Sequence, residues 1–128
     1  MKTILITGAT SGIGLATAKK LANSKNNLIL CGRRQYKLDK ISNEISKITN
    51  VLTLRFDVSD KEEVNKVFES LPKEFSSIDV LINNAGNAHG LDTIQEGSLD
   101  DWDNMIDSNV KGLLYVSRVL IPKMIVKQ

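Results

Sequence analysis

Ile4-Leu5-Ile6-Thr7-Gly8-Ala9-Thr10-Ser11-Gly12-Ile13-Gly14 is the stretch that decides how this chain folds. An apolar run of strand type feeds a glycine-rich turn, and the turn opens into a segment with helical spacing of its apolar residues. Such a junction is an anion site. The first turn of a helix leaves backbone N–H groups unpaired and carries a partial positive charge, so a phosphate placed there is both hydrogen-bonded and electrostatically favoured. Glycine suits the turn because a Cβ would block the approach of the ligand to the backbone.

Taken alone, three closely spaced glycines fit a plain strand-turn-helix connection equally well. The flanking sequence favours the phosphate site: a buried-type strand precedes the turn, an amphipathic run follows it, and a second apolar strand comes within the span of about 20 residues that a dinucleotide-binding unit requires.

Composition narrows the possible functions. A chain of 128 residues with 41% apolar content falls within one ordinary domain and can build a packed core. Its 17 basic and 15 acidic residues give a net charge of +2 and are spread along the chain, which argues against a nucleic-acid partner. One cysteine, Cys31, lies in an apolar run, and one histidine, His89, lies in a glycine-containing loop. Neither a disulfide framework nor a metal cluster can be assembled from them. No apolar run approaches the roughly 18 to 20 residues of a membrane span. Met1 leads directly into a core strand, so the expectation is a cytoplasmic protein without a signal peptide.

In chain order, Lys2 to Thr7 reads as the first strand and Gly12 to Ser24 as the first helix, with Leu15, Ala18, Leu21 and Ala22 on its buried face. Asn26 and Asn27 read as the return turn, and Leu28 to Cys31 as the second strand, which exits through Gly32-Arg33-Arg34. This exit bears on cofactor choice. Proteins that bind NAD place an acid near this point for the ribose 2′-OH, whereas here Gly32 is followed by two guanidinium groups able to bind a 2′-phosphate bidentately. NADP is therefore favoured over NAD, although two arginines opening a helix are in isolation also an ordinary solvated surface.

Gln35 to Lys47 is expected to form the second helix, with Leu38, Ile41, Ile45 and Ile48 inward. Val51 to Phe56 is expected to be the third strand, and Asp57-Val58 stands at its C-terminal end, where ligands collect in open α/β sheets. Asp57 can accept from an adenine amino group, but outside that setting it is an ordinary turn residue. Ser59 to Glu62 has capping-box spacing for a third helix carrying Val64, Val67, Phe68 and Leu71, which Pro72 ends. Asp79 to Asn83 reads as the fourth strand, running into Asn84-Ala85-Gly86, and Asn87 to Gly97 as a loop. Ser98 and Asp101 open a long helix that continues to about Met124 or beyond.

Thr7-Gly8-(three residues)-Gly12-Ile13-Gly14, Asn83-Asn84-Ala85-Gly86 and Asn109-Val110-Lys111-Gly112, in this order and spacing, resemble the short-chain dehydrogenase/reductase family over essentially all 128 residues. They correspond to the N-terminal half of such a domain. Gly32-Arg33-Arg34-Gln35, Ser70-Leu71-Pro72, Asp101-Trp102 and Met105-Ile106-Asp107 look most like the bacterial NADP-dependent 3-hydroxy acid dehydrogenases that act on serine and allo-threonine.

The resemblance implies a Rossmann-type, doubly wound, three-layer α/β fold with parallel strands in the order 3-2-1-4, cut off after the fourth strand and the long helix. It implies that Gly8, Ala9, Thr10, Ser11, Gly12 and Ile13 hold the pyrophosphate of NADP, Arg33 and Arg34 its 2′-phosphate, Asp57 and Val58 the adenine, and Asn84 the adjoining ribose. Gly14 is expected to be a packing glycine. Asn109 is implied to distort the long helix and to position, through its carbonyl, a water in the proton relay, although a mid-helix Asn is otherwise just an exposed polar residue.

The family's Ser and Tyr-x-x-x-Lys follow the fifth strand, beyond Gln128, and the Tyr36 to Lys40 spacing falls beside the adenosine phosphate instead. Two functions follow: an oxidoreductase acting on a small hydroxy acid or carbonyl compound, or a truncated or split fragment that binds nucleotide or a partner without catalysis. A homo-oligomer is expected through the helix around Asn109 to Met124.

Overall fold

The computed structural model describes residues 1–88 and 90–127, so His89 and Gln128 lie outside the described residues. Its four-stranded parallel sheet has the order β3-β2-β1-β4, formed by β1 (Lys2–Ile6), β2 (Asn26–Gly32), β3 (Asn50–Arg55) and β4 (Val80–Ile82). Between them run α1 (Gly12–Leu21), α2 (Gln35–Ile45) and α3 (Lys61–Glu69), and a 3-10 turn over Lys73–Phe75 leads into β4.

Residues 4–6 of β1 and 28–31 of β2 are apolar without interruption because both faces of these central strands are covered. Ile4, Ile6, Leu28 and Leu30 pack with Ala18 of α1 and with Leu38, Ile41 and Ile45 of α2. Leu5, Ile29 and Cys31 face the other way, into Val64 and Phe68 of α3 and into Val116 and Leu120 of the last helix. Phe56 and Phe68 meet edge to face there, with ring centroids 5.5 Å apart. The strand order, parallel pairing and three layers agree with the sequence expectation.

Local details depart from it. Asn26 and Asn27 are not the return turn. They are the first residues of β2, with Asn27 buried beside Thr3, and the turn falls earlier, where Asn23 caps the Lys25 N–H. Ser59 is not the N-cap of α3; Asp60 takes that place and accepts from the Glu62 and Glu63 N–H groups. The Ser59 hydroxyl donates to Asp57 instead. Ile48 is 55% exposed because α2 stops at Ile45, three residues short of it. Helix α1 likewise stops at Leu21 and not Ser24, and β4 is confined to Val80–Ile82.

The long helix is interrupted. Residues Leu99–Ile106 form α4, Asp107–Lys111 form a π turn, and Gly112–Val126 form α5, which continues through Pro122. Ser98 caps α4 by accepting from the Asp101 N–H, as its spacing predicts.

Candidate functional site

A pocket of about 110 Å³ opens at the C-terminal ends of the strands, where an open parallel sheet places its ligands. It joins Gly8, Thr10 and Ser11 after β1 to Arg33 and Arg34 after β2, Asp57 and Val58 after β3, and Ala85 and Gly86 after β4. Of the other residues expected here, Ala9 is buried, Gly12 and Ile13 stand exposed at the start of α1, and Asn84 and Asn109 do not line the pocket but bond to Gly8 and Asn87, which do.

The turn after β1 is held from below. Thr7 accepts the Asn84 and Ala85 N–H groups on its hydroxyl at 3.0 and 2.9 Å, while the Asn84 side-chain amide donates to the carbonyls of Thr7 and Gly8. Gly8 has φ +63°, and a Cβ there would stand 2.8 Å from the Ala85 Cα. At Gly14 a Cβ would lie 2.0 Å from the Gly8 carbonyl oxygen, so Gly14 is a packing glycine that lets α1 close on the turn. Both turns lock together.

The helix starts at this pocket differ from those of α3 and α4. Asp60 and Ser98 cap α3 and α4 with side chains, whereas α1 and α2 begin at Ser11 and Arg34 with no side-chain cap and no acid in the first turn. Their N-terminal N–H groups and positive dipole ends are left for an anion. Gly12 adds an open face, with nothing within 4 Å of where its Cβ would stand. A diphosphate fits this cradle at α1, and a further phosphate fits the arginine pair at α2.

Asp57 is fixed by an Asx-type turn, its Oδ1 accepting from the Ser59 N–H at 2.9 Å and the Ser59 hydroxyl at 2.7 Å. Cys31 contributes only wall. Its thiol is buried, and burial pushes its pKa far above the ordinary thiol range, so it is no nucleophile at neutral pH.

Asn109 lies in the π turn, where the Gly112 N–H reaches back to the Asp107 carbonyl. The expected helix distortion is therefore present, but its side chain is far from idle. Its Oδ1 accepts the Asn87 N–H and its Nδ2 donates to the Asn87 carbonyl, each at 2.7 Å. Gly86 makes room, since a Cβ there would meet the Asn109 Oδ1 at 2.8 Å. The Ser108 hydroxyl lies 3.0 Å from the Asn87 Oδ1, and both residues line the pocket. Sequence reasoning left Asn87 and Ser108 unassigned; the signal for them was the position of each beside a motif residue.

Tyr36 is 67% exposed on α2 and does not line this pocket. Among the described residues no group of three or more His, Cys, Asp or Glu side chains could hold a metal, and no helix is long and apolar enough to cross a membrane.

A parallel sheet of this order, with an uncapped glycine-rich turn at its central strand, defines a doubly wound nucleotide-binding protein. The chain belongs to the short chain dehydrogenase family, whose model matches residues 2–128.

The chain is 49% identical over 124 residues to an NADP-dependent 3-hydroxy acid dehydrogenase of Schizosaccharomyces pombe, covering 94% of this chain and 48% of that one. It is 39% identical over 122 residues to the enzyme of the same description from Salmonella typhi, covering 95% and 48%. The closed form of serine dehydrogenase complexed with NADP+ superimposes with a TM-score of 0.92 at 35% identity, covering 98% of this chain and 50% of that structure. The chain thus spans about half the length of the curated relatives it matches.

Proposed function

We propose that residues 1–128 form the cofactor-binding part of a cytoplasmic NADP-dependent oxidoreductase acting on a small 3-hydroxy acid or its oxo form. The observation that carries this reading is that Arg33 and Arg34 share one pocket with the glycine-rich turn, and Gly32 stands where a carboxylate would select NAD. Similarity to NADP-dependent 3-hydroxy acid dehydrogenases and to a serine dehydrogenase supports the substrate class.

The backbone from Gly8 to Ile13 holds the pyrophosphate at the start of α1, and Arg33 and Arg34 hold the 2′-phosphate. Asp57 keeps Oδ2 for the adenine amino group while Ser59 occupies Oδ1, and the Val58 N–H serves a ring nitrogen. Asn84 serves the adjoining ribose through its backbone, because its side chain is committed to Thr7 and Gly8. The bound cofactor supplies the hydride acceptor or donor. Asn109 braces the loop at Asn87 and leaves its carbonyl, in the π turn, for a relay water. The catalytic Ser and Tyr-x-x-x-Lys come from sequence outside these residues.

Two measurements test this. NADPH titrated into the chain quenches or shifts its fluorescence more strongly than NADH at equal concentration, and joining residues 1–128 to a family segment with the Ser and Tyr-x-x-x-Lys yields NADP-dependent oxidation of serine. Binding without turnover in every such fusion favours the inactive-fragment reading; no NADPH binding at all removes the cofactor assignment.

A further inference from the structure

A second groove, of about 240 Å³, lies between α1 and α2 and shares Thr10 with the pocket described above. Lys37 lines it. Arg33 and Arg34 are exposed, but Lys37 is half-buried. The carboxylates around it are engaged elsewhere: Glu44 pairs with Lys19 at 3.4 Å, and Asp39 accepts the Gln35 amide at 2.8 Å. The ion pairs of the described residues are Lys19–Glu44, Lys111–Asp107 and Lys127–Asp79, so Lys37 has no carboxylate partner.

Its position is also electrostatically unfavourable. Lys37 sits in the first turn of α2, where the helix dipole disfavours a cation, three residues after Arg34 and with no acid in that turn. Three positive charges at an uncapped helix N-terminus repel one another unless an anion binds among them. A local rule broken with no compensation inside the protein points to a ligand as the compensation. Thr10 lines both spaces, so the groove that Lys37 lines adjoins the phosphate turn.

We propose that Lys37 is the third cation of the 2′-phosphate subsite and, with Arg33 and Arg34, sets the preference for NADP over NAD. The proposal rests on the NADP reading above and adds to it a specificity residue on the groove side of Thr10.

The probes are adenosine 2′,5′-bisphosphate and 5′-AMP, which differ only in the 2′-phosphate, titrated calorimetrically into the full chain. Lys37→Gln weakens the bisphosphate by about fivefold, the scale of a partly exposed charge pair, and changes 5′-AMP by less than about twofold. Lys37→Arg retains the bisphosphate affinity, and Lys47→Gln, just beyond the C-terminal end of α2, leaves both probes unchanged. Equal loss of both probes in Lys37→Gln, or no loss of either, overturns the proposal and leaves Lys37 as a packing lysine. If the bisphosphate preference disappears in Arg33→Ala with Arg34→Ala but survives in Lys37→Gln, only this inference fails. If the unmodified chain shows no bisphosphate preference, the NADP reading fails with it.

Discussion

Thr7 and Asn84 are joined twice: the Thr7 hydroxyl accepts the Asn84 backbone N–H at 3.0 Å, and the Thr7 carbonyl accepts the Asn84 side-chain amide at 3.2 Å. These contacts tie the end of the central strand to the end of its neighbour, beneath the residues that face the pocket. Thr7→Val keeps the shape but removes the acceptor, leaving the Ala85 N–H without its partner. The expected cost is about 1 to 3 kcal/mol of unfolding free energy, read from urea denaturation. Thr7→Ser keeps the acceptor and loses only a buried methyl, roughly 0.8 kcal/mol. Equal losses in the two variants would assign the effect to packing.

Arg33→Ala with Arg34→Ala is expected to weaken NADPH binding more than about tenfold while barely changing NADH, because a charge-assisted hydrogen bond contributes about 1.5 to 3 kcal/mol. Parallel titrations of both cofactors decide it, and equal losses would separate the arginines from cofactor choice.

Asp79 predicts a pH dependence at the opposite end of the sheet. The Lys127 ammonium, which donates to its Oδ1, and the Thr3 N–H, which donates to Oδ2 at 2.8 Å, hold its carboxyl below the usual carboxylate range. A carboxylate with a lowered folded-state pKa stabilises the fold above its unfolded value, near pH 4, and loses that contribution as pH falls through the folded value. Asp79→Asn should therefore flatten the acid limb of a stability profile below about pH 4, and Lys127→Met, which removes the larger cause of the lowering and leaves the Thr3 N–H, should flatten it in part. An acid limb unchanged in both variants would exclude this carboxylate as its source.

What could be read in advance divides along physical lines. Runs such as Leu28-Ile29-Leu30-Cys31 state burial on two faces, and the glycine spacing states a turn, so the sheet order was legible, and with it Gly8, Thr10, Ser11, Arg33, Arg34, Asp57 and Val58 of the pocket lining. Asn26 and Asn27 were misplaced because propensity assigns Asn to turns, whereas pairing with Lys2 and Thr3 draws both into β2. The cap of α3 moved from Ser59 to Asp60 because Asp57 competes for the Ser59 hydroxyl, a tertiary choice that spacing alone does not show. The Asn109 clamp on Asn87 joins residues 22 apart in sequence, so no local pattern could reveal it.

The chain on its own is expected to show no turnover of serine, allo-threonine or any other alcohol. The pocket contains no tyrosine, and Tyr36, though four residues before Lys40, is exposed on α2 and belongs to no wall of it. Tyr36→Phe should accordingly leave cofactor binding unchanged. NADP-dependent turnover by the purified 128-residue chain, lost in Tyr36→Phe, would reverse this assignment.

Self-association is the last expected property, and α5 supplies the reason. Val116 and Leu120 are wholly buried against the sheet, whereas Leu113, Leu114, Ile121 and Ile125 are 42%, 56%, 45% and 65% exposed. The helix is therefore apolar on more of its circumference than the sheet covers, and α4 adds Ile106 at 51%. Nearby, among the described residues β4 pairs only with β1, leaving an apolar strand with one unpaired backbone edge. Apolar patches of this extent seldom stay exposed on a monomer. Sedimentation at micromolar concentration should show a dimer or larger species, and Leu114→Glu with Ile121→Glu should shift it toward monomer without lowering the unfolding midpoint, since neither side chain is in the core. A compact monomer for the unmodified chain would mean that this face is tolerated in water, and the expectation of an oligomer through α5 would fall.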